Sequence, residues 1–457
     1  VQRSRLPSRR AVLRAGAGAL LGGAAAGCAF VPENRAHHLE FLFWGSIYED
    51  RGVHAVSRAF SRRPGRLPVA AQVVGGDYAT KINTLVAARQ EPDIAYLPAG
   101  LAMRLGEGGL LVNLLDYRHK YPQIDDLLPQ ALHYYTETAA VPQTAVEVMM
   151  LWYSTRLFSK AGVPEPPVDT ASAWSWDRYL ETCDRLTFDE KGRRPSEKGF
   201  DPTQVRQFGA TAPTTVNTTL YALLRSNGAD LFDEKGTRCI IDSDAAVEVV
   251  SQIVEMMYEH RVAPSPTLLT SMNTGTALLL KSGRVATTID GYWNLLDLAN
   301  AQFPYGAGVL PKFQEPMTAQ TSGITGIFKR SQYPEQAVEF YLQMADPRSC
   351  PLYKQGLWMP LERSFYTDPK LLATWTDTKI HPAGFDRSTA QPALHNVSPD
   401  PTFRIRNSSE VFAQLTPALD PIWLGKHRGT ASVRKALRHA ADVTTPFLAG
   451  VYPDVKM

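Results

Sequence analysis

Within residues 39–97, runs suited to β-strands alternate with stretches whose apolar residues recur at helical spacing, and this alternation restricts the fold more than any other feature of the chain. Leu39-Glu40-Phe41-Leu42-Phe43-Trp44 reads as a strand stopped by Gly45, and Val53, Val56 and Phe60 then keep a helical period. Residues 68–74 form a second β-rich run, Ile82, Leu85 and Val86 mark a second helix, and Glu91-Pro92-Asp93-Ile94-Ala95-Tyr96-Leu97 begins a third strand. Strand, helix, strand, helix, strand predicts a parallel sheet with helices on its faces. Ligands of such sheets sit beyond the carboxyl ends of the strands, here after Trp44 and after Leu97. Further on, residues 176–186 read as a helix. Asp242 or Ser243 caps another that carries Val247, Val250, Ile253, Val254 and Met257 and is closed by Pro264. Pro334 opens one more, and residues 192–203 read as a polar loop.

The first residues read as an address. Arg9-Arg10 precede a Gly/Ala/Leu stretch that ends in Ala25-Ala26-Gly27-Cys28. A basic head, a short apolar body and small residues at its end make an export signal over residues 1–27. The paired arginines resemble a twin-arginine signal. The small residues before Cys28 resemble a lipoprotein cleavage site, with Ala25 where leucine is usual, so Cys28 is the expected lipidation position and residues 28–37 a tether. The apolar stretch is shorter than the roughly 20 residues a spanning helix needs. The whole chain carries +3, but five arginines (Arg3, Arg5, Arg9, Arg10, Arg14) lie before Cys28, and without them the balance is slightly acidic. That gives no case for a nucleic-acid partner. Length allows two or more domains at roughly 100–200 residues each. Cys183, Cys239 and Cys350 match no metal spacing and allow at most one internal disulfide.

Seven short segments, in order, carry a resemblance. They are Gln90-Glu91-Pro92-Asp93-Ile94; Gly109-Leu110-Leu111-Val112-Asn113-Leu114; Val141-Pro142 through Glu147 to Trp152-Tyr153-Ser154; Leu157-Phe158 through Ala161-Gly162 to Ser175-Trp176-Asp177; Lys281-Ser282-Gly283-Arg284 through Asp290-Gly291-Tyr292-Trp293; Val309-Leu310-Pro311 with Ser322-Gly323-Ile324-Thr325-Gly326; and Gly356-Leu357-Trp358-Met359-Pro360. Together they resemble the family 1 extracellular solute-binding proteins of carbohydrate ABC importers, the group of maltose-binding and glycerophosphate-binding proteins. The resemblance implies an α/β, two-lobed periplasmic-binding-protein fold with a three-segment hinge and an interlobe cleft. The implied lobes are 38–146 plus 289–328 and 147–288 plus 329–457, with crossings near Glu147, near Asp290 and near 328–332. The implied partners are a carbohydrate ligand, the transmembrane permease subunits of the importer and, through the lipid anchor, the membrane. A monomer without cofactor or metal is expected.

Sugars present hydroxyls and an apolar face, so carboxylates, arginines and aromatic rings are the residue types that hold them. By position in the resemblance, Ser46, Tyr48 and Glu49 follow the first strand, with Trp44 equally suited to the core; Glu147, Asp290, Tyr292 and Trp293 stand at the first two crossings. Gly323 and Ile324 offer backbone N–H groups, and Trp358 and Arg404 come from the second lobe. Arg406 competes with Arg404 for that place. The carboxylates favour a neutral or amino sugar, and Arg404 pulls toward an anionic one. Residues 209–217 lack the tryptophan that glycerophosphate-type binders carry there, which argues against a glycerophosphodiester. An enzyme is the other class weighed. Paired acids such as Glu49-Asp50 or Asp125-Asp126 suit glycoside hydrolysis, yet the chain has no His-Glu-x-x-His, G-x-S-x-G or P-loop motif. A surface sensor is the third.

The lipid anchor is checked directly. A Cys28→Ala protein is expected to lose fatty-acid labelling and leave the membrane fraction; unchanged labelling means the signal was misread.

Overall fold

A computed structural model describes residues 37–376 and 379–453; the export signal, Cys28 and all but the last residue of the tether lie outside the described residues. The strands in chain order are β1 (Leu39–Phe43), β2 (Val69–Val73), β3 (Ile94–Leu97), β4 (Leu132–Thr136), β5 (Ala139–Pro142), β6 (Glu147–Tyr153), β7 (Phe188–Asp189), β8 (Val205–Ala210), β9 (Val285–Gly291), β10 (Gly306–Gly308), β11 (Thr318–Thr321), β12 (Ile324–Ile327) and β13 (Val397–Pro399). One sheet has the order β12-β3-β1-β2, with β1 parallel to β2 and β3 and β12 antiparallel to β3. A second runs β13-β11-β6-β9-β8-β7, with β10 also on β6, and β4 and β5 form a hairpin. Among the described residues no helix is long and apolar enough to cross a membrane.

The expected strand–helix alternation is present. The helix Ile47–Ser61 starts at Ser46, whose hydroxyl accepts from the Glu49 N–H at 3.3 Å, and it buries Val53, Val56 and Phe60 against β1 and β2. The helix Tyr78–Ala87 is capped by Asp77, which accepts from the Thr80 N–H. The helix Trp176–Arg185 is capped by Ser175, and Pro334–Ala345 begins on its proline. One boundary differs. The helix Asp244–Tyr258 ends well before Pro264, and Arg261, at φ +59°, turns the chain away. The terminator is this left-handed residue rather than the proline.

The chain passes between the two main sheets before β6, again between β11 and β12 through Ser322-Gly323, and a third time before β13. This corrects the expected partition. Strands β10 and β11, expected with the first lobe, and β9, which the expected boundary cut in two, lie in the second sheet, and only β12 of the segment 289–328 joins the first. The helix Pro334–Ala345, expected in the second lobe, packs on the helix Ile47–Ser61. Its Phe340 stands edge-on to Phe41 (5.6 Å) and Phe60 (5.4 Å), and Gln336 accepts from the Leu67 N–H at 2.8 Å. The motif order located the second crossing two strands early, because after β9 returns beside β6 both β10 and β11 also join that sheet before the chain leaves it. Cys183, Cys239 and Cys350 are all buried and unpaired.

The helix Trp176–Arg185 rests on β8 so closely that a Cβ on Gly209 would stand 2.2 Å from the Cys183 carbonyl oxygen. Backbone cannot step aside as a side chain can, so Gly209→Ala is expected to destabilise the fold by about 1–3 kcal/mol in urea unfolding. Gly75→Ala, where no atom lies within 4 Å of the added carbon, is expected to stay near wild type.

Candidate functional site

The end of β1, the start of β6 and the β11–β12 crossing converge. Trp44 packs edge-on to Tyr78 (5.1 Å) and Tyr96 (5.3 Å), and its ring lies over Gly323, where a Cβ would meet it at 2.6 Å. The Gly323 carbonyl accepts from the Thr144 N–H at 2.8 Å, which ties the crossing to the segment that leads into β6. Glu147 opens β6 opposite Thr321 of β11. Thr321 and Asn217 donate to Asp400 at 2.8 and 2.6 Å, so a third segment is drawn to the same place.

Two carboxylates dominate the electrostatics. Glu49 is 9% exposed and its side chain folds back over Gly45. Burial pushes its pKa up to about 8. Glu147 keeps some exposed surface as a whole residue, yet burial of its carboxylate pushes it up to about 8 as well, with the charge of Glu49 adding. No ion pair or hydrogen bond from the described residues reaches either carboxylate. The Tyr96 hydroxyl is buried without a partner, and its acidity is suppressed first by burial and then by Glu49. Asp290 is different. Burial raises its pKa, but Thr276 Oγ1 (2.5 Å) and the Gly291 N–H (2.7 Å) donate to it and oppose the rise.

The other expected residues separate into groups. Ser46 is exposed and Tyr48 half-buried at the start of their helix. Trp293 is half-buried, touches both large cores, and lies so close over Gly291 that a Cβ there would meet the ring at 2.1 Å. Tyr292, Ile324 and Trp358 correct the expectation. Tyr292 and Ile324 have no exposed surface and Trp358 only 3%. The Tyr292 hydroxyl meets His381 Nε2 at 3.2 Å, the Ile324 backbone is engaged in pairing with Leu97, and Trp358 packs on Tyr96 and Tyr353. Arg404 lies near Asp400. It lines a cavity of about 530 Å³ with Gln130, His133, Tyr221, Arg225 and Asp400, where it faces Asp230 at 3.7 Å. Arg404 follows the short turn Pro401–Phe403 rather than standing in a strand, so it need not share a face with Arg406. Arg406 instead pairs with Glu107 across the molecule, beside the Arg104–Glu410 pair at 3.5 Å. There the helix Ala99–Glu107 meets the start of the helix Ser408–Trp423, and a Cβ on Gly100 would stand 2.4 Å from Ser408 Oγ.

The family model of the bacterial extracellular solute-binding proteins matches residues 59–345, more than half of the chain. The chain belongs to that family. No curated sequence matches. Solved structures similar in fold include a substrate-binding protein of an ABC transporter from Listeria monocytogenes in complex with cycloalternan (20% identity, 89% of this chain and 97% of that one, TM-score 0.72). A solute-binding protein from Thermotoga lettingae bound with α-D-tagatose (17%, 91% and 100%, 0.68) and a maltose-bound protein of T. maritima (16%, 89% and 99%, 0.68) share it too. Their two-lobed α/β architecture is the one described here.

Sequence reading missed Tyr96, Asn217 and Asp400 in this solute-binding protein. The Asp400-Pro401-Thr402 run does announce a capping aspartate, whose carboxylate accepts from the Thr402 N–H at 2.8 Å. Nothing local announces that the same carboxylate is buried beneath Thr321 and Asn217.

The raised pKa values fix a pH dependence. In the unfolded chain Glu49 and Glu147 ionise near pH 4.5, in the fold near 8, so across that interval the folded state holds more protons. Their contribution is full below pH 4.5 and is lost as pH rises through about 8. The ligand-free melting temperature is therefore expected to fall between pH 5 and pH 8.5. Glu49→Gln and Glu147→Gln are expected to flatten that slope, as followed by circular dichroism.

Proposed function

We propose that the protein captures a sugar outside the membrane and delivers it to the transmembrane subunits of an ABC importer, binding it without turnover. The observation that carries this reading is the convergence of Glu49, Glu147 and the half-buried ring of Trp44 at a crossing between two sheets, with neither carboxylate meeting a donor among the described residues. Carboxylates accept from hydroxyls, rings cover an apolar sugar face, and a buried hydroxyl left unpaired costs about 1–3 kcal/mol, so such a site selects. Family membership supports extracellular solute capture. The sugars bound to the Listeria, Thermotoga lettingae and T. maritima proteins support the ligand class.

In this reading the contacts are Ser46, Tyr48, Glu49, Glu147, Asp290, Trp293 and the Gly323 backbone. Sheet membership supports a first lobe built on β1, β2, β3 and β12 and a second built on β6 to β11 and β13, which swing about the crossings. A lipidated Cys28 tethers a monomer to the outer face of the membrane.

A thermal-shift screen with a panel of mono- and oligosaccharides tests this. At 100 times its Kd a true ligand stabilises by about 2.7 kcal/mol. The same ligand is expected to shrink the radius of gyration in small-angle scattering as the lobes close. Turnover of the sugar, or no shift with any sugar, overturns the reading.

A further inference from the structure

The cavity of about 530 Å³ beside Asp400 is lined by Gln130 and His133, next to and within β4, and by Tyr221, Arg225, Asp230, Asp400 and Arg404. Its volume is that of a small-molecule site. The two guanidinium groups share one oxygen: Asp230 Oδ2 stands 3.1 Å from Arg225 Nη1 and 3.7 Å from Arg404 Nη2. Asp230 Oδ1 accepts from the Leu231 N–H at 2.7 Å. Asp400 serves neither arginine. Its Oδ1 accepts from the Thr402 N–H (2.8 Å) and Oγ1 (2.7 Å), and its Oδ2 from Asn217 Nδ2 (2.6 Å) and Thr321 Oγ1 (2.8 Å). Both acids are therefore taken, and the donors are not. Arg404 Nη2 is buried without a hydrogen bond, and its Nη1 reaches only the Asp233 and Glu234 carbonyls at 3.4 and 3.5 Å. Among the described residues, Arg225 spends Nε on Ser398 and Nη1 on Ala229 and Asp230, and nothing accepts from its Nη2. The Tyr221 hydroxyl makes no hydrogen bond among the described residues, on a residue 4% exposed. His133 Nε2, on a ring stacked 3.9 Å from that of Phe403, also lacks a partner.

We propose that this cavity receives a carboxylate of the captured sugar, held by Arg225, Arg404 and the Tyr221 hydroxyl, so that the ligand is an acidic carbohydrate carrying a uronate. This rests on the sugar-capture reading and narrows it. A sugar hydroxyl brings a donor along with its acceptors, whereas an ionised carboxylate only accepts and matches the planar fork of an arginine. Hydrogen bonds to a charged acceptor are also roughly twice as strong as neutral ones. A phosphate ester would set a second negative charge beside Asp230 and Asp400, and a carboxylate brings one alone. Asp400 joins the cavity to the proposed sugar site. Thr321, which donates to it, stands opposite Glu147 in the β11–β6 register, and residues paired in this way share a face of the sheet. With the carboxylate on the arginines, the ring hydroxyls turn to Glu147 and to Gln130, whose Nε2 donates to the Ala393 carbonyl at 2.9 Å and whose Oε1 remains to accept.

The test is titration calorimetry on the full chain at neutral pH. The probes are glucose, galactose and mannose frames, each as the parent sugar, the uronate, the neutral uronamide and the 6-phosphate, as mono- and disaccharides. The expected result is binding of one uronate at least about tenfold tighter than that of its uronamide, its parent sugar and its phosphate. Arg225→Gln and Arg404→Gln, each confirmed folded by its melting curve, are expected to bring the uronate down to about the affinity of its uronamide. Tyr221→Phe keeps the buried ring and is expected to cost the uronate more than the uronamide. The comparison of uronate with uronamide on the unaltered chain stands without any variant. A parent sugar, uronamide or phosphate that binds at least as tightly as the uronate, or a uronate preference that survives both arginine variants, overturns this inference and leaves sugar capture standing. Absence of binding by every sugar overturns both.

Discussion

Strand β6 sends alternate side chains into different cores, and the rest of the molecule is arranged around that strand. Val148, Met150 and Trp152 lie in one core with Phe41, Phe43 and Phe340; Met149 and Leu151 lie in the other with Tyr179, Val250 and Leu415. A pleated strand with both faces covered has this period-two division built in, and a slip of one residue would exchange every side chain between cores. Burial of each large apolar side chain is worth about 1.5–3 kcal/mol, so these few residues bear on the register with a force comparable to the net stability of a domain. Neighbours reinforce it. Strand β9 pairs along β6 from Met149 to Tyr153, β11 pairs at its start and β10 at its end. Glu147, the first residue of β6, takes its place at the crossing from this register.

How much could be read from the sequence follows from how local each feature is. The strands and helices of residues 39–97 were legible because their period and their caps, Ser46 and Asp77, are written in neighbouring residues. The solute-binding family was legible because its segments recur in order. The lobe boundaries were not, because nothing in residues 289–345 says which sheet a strand joins; only the partners of β9, β11 and β12 decide it. Aromatic site residues were equally ambiguous. Trp293 and Trp358 both sit near a turn with glycine, yet one is half-buried across two cores and the other packs beneath Tyr96. An aromatic ring serves a core and a sugar face by the same apolar surface, so its type cannot separate them.

The two arginines near the C-terminal helices show how tertiary context assigns a charge. Arg404 and Arg406 are two residues apart, and a strand would have sent them to the same face. The turn before them breaks that rule and both find acids, one inside a cavity and one across to the helix Ala99–Glu107. The crossing pairs Arg406–Glu107 and Arg104–Glu410 join a helix beside the first sheet to the chain just after β13. Partly exposed pairs of this kind add little stability, typically well under 1 kcal/mol each. Their consequence is geometric, since they hold the two parts of the molecule in register while being weak enough to release.

Buried carboxylates elsewhere in this chain make the state of Glu49 and Glu147 informative. Burial works against the charge of Asp189, yet hydrogen bonds from Arg193 and Asp201 outweigh it and hold its pKa down at about 2. The Lys191 and Arg193 N–H groups and Arg193 Nε all donate to it at 2.8–2.9 Å. Asp400 has Thr402, Thr321 and Asn217, although burial still raises it. This fold therefore satisfies a sequestered acid where the acid is structural. At Glu49 and Glu147 no such donor is present among the described residues, and burial raises both carboxyls. A well-packed apolar pair in their place would be more stable, because an unpaired carboxyl in such surroundings disfavours the folded state once it ionises. Destabilising arrangements persist where activity depends on them, and the proposed capture of a sugar turns on these two acids.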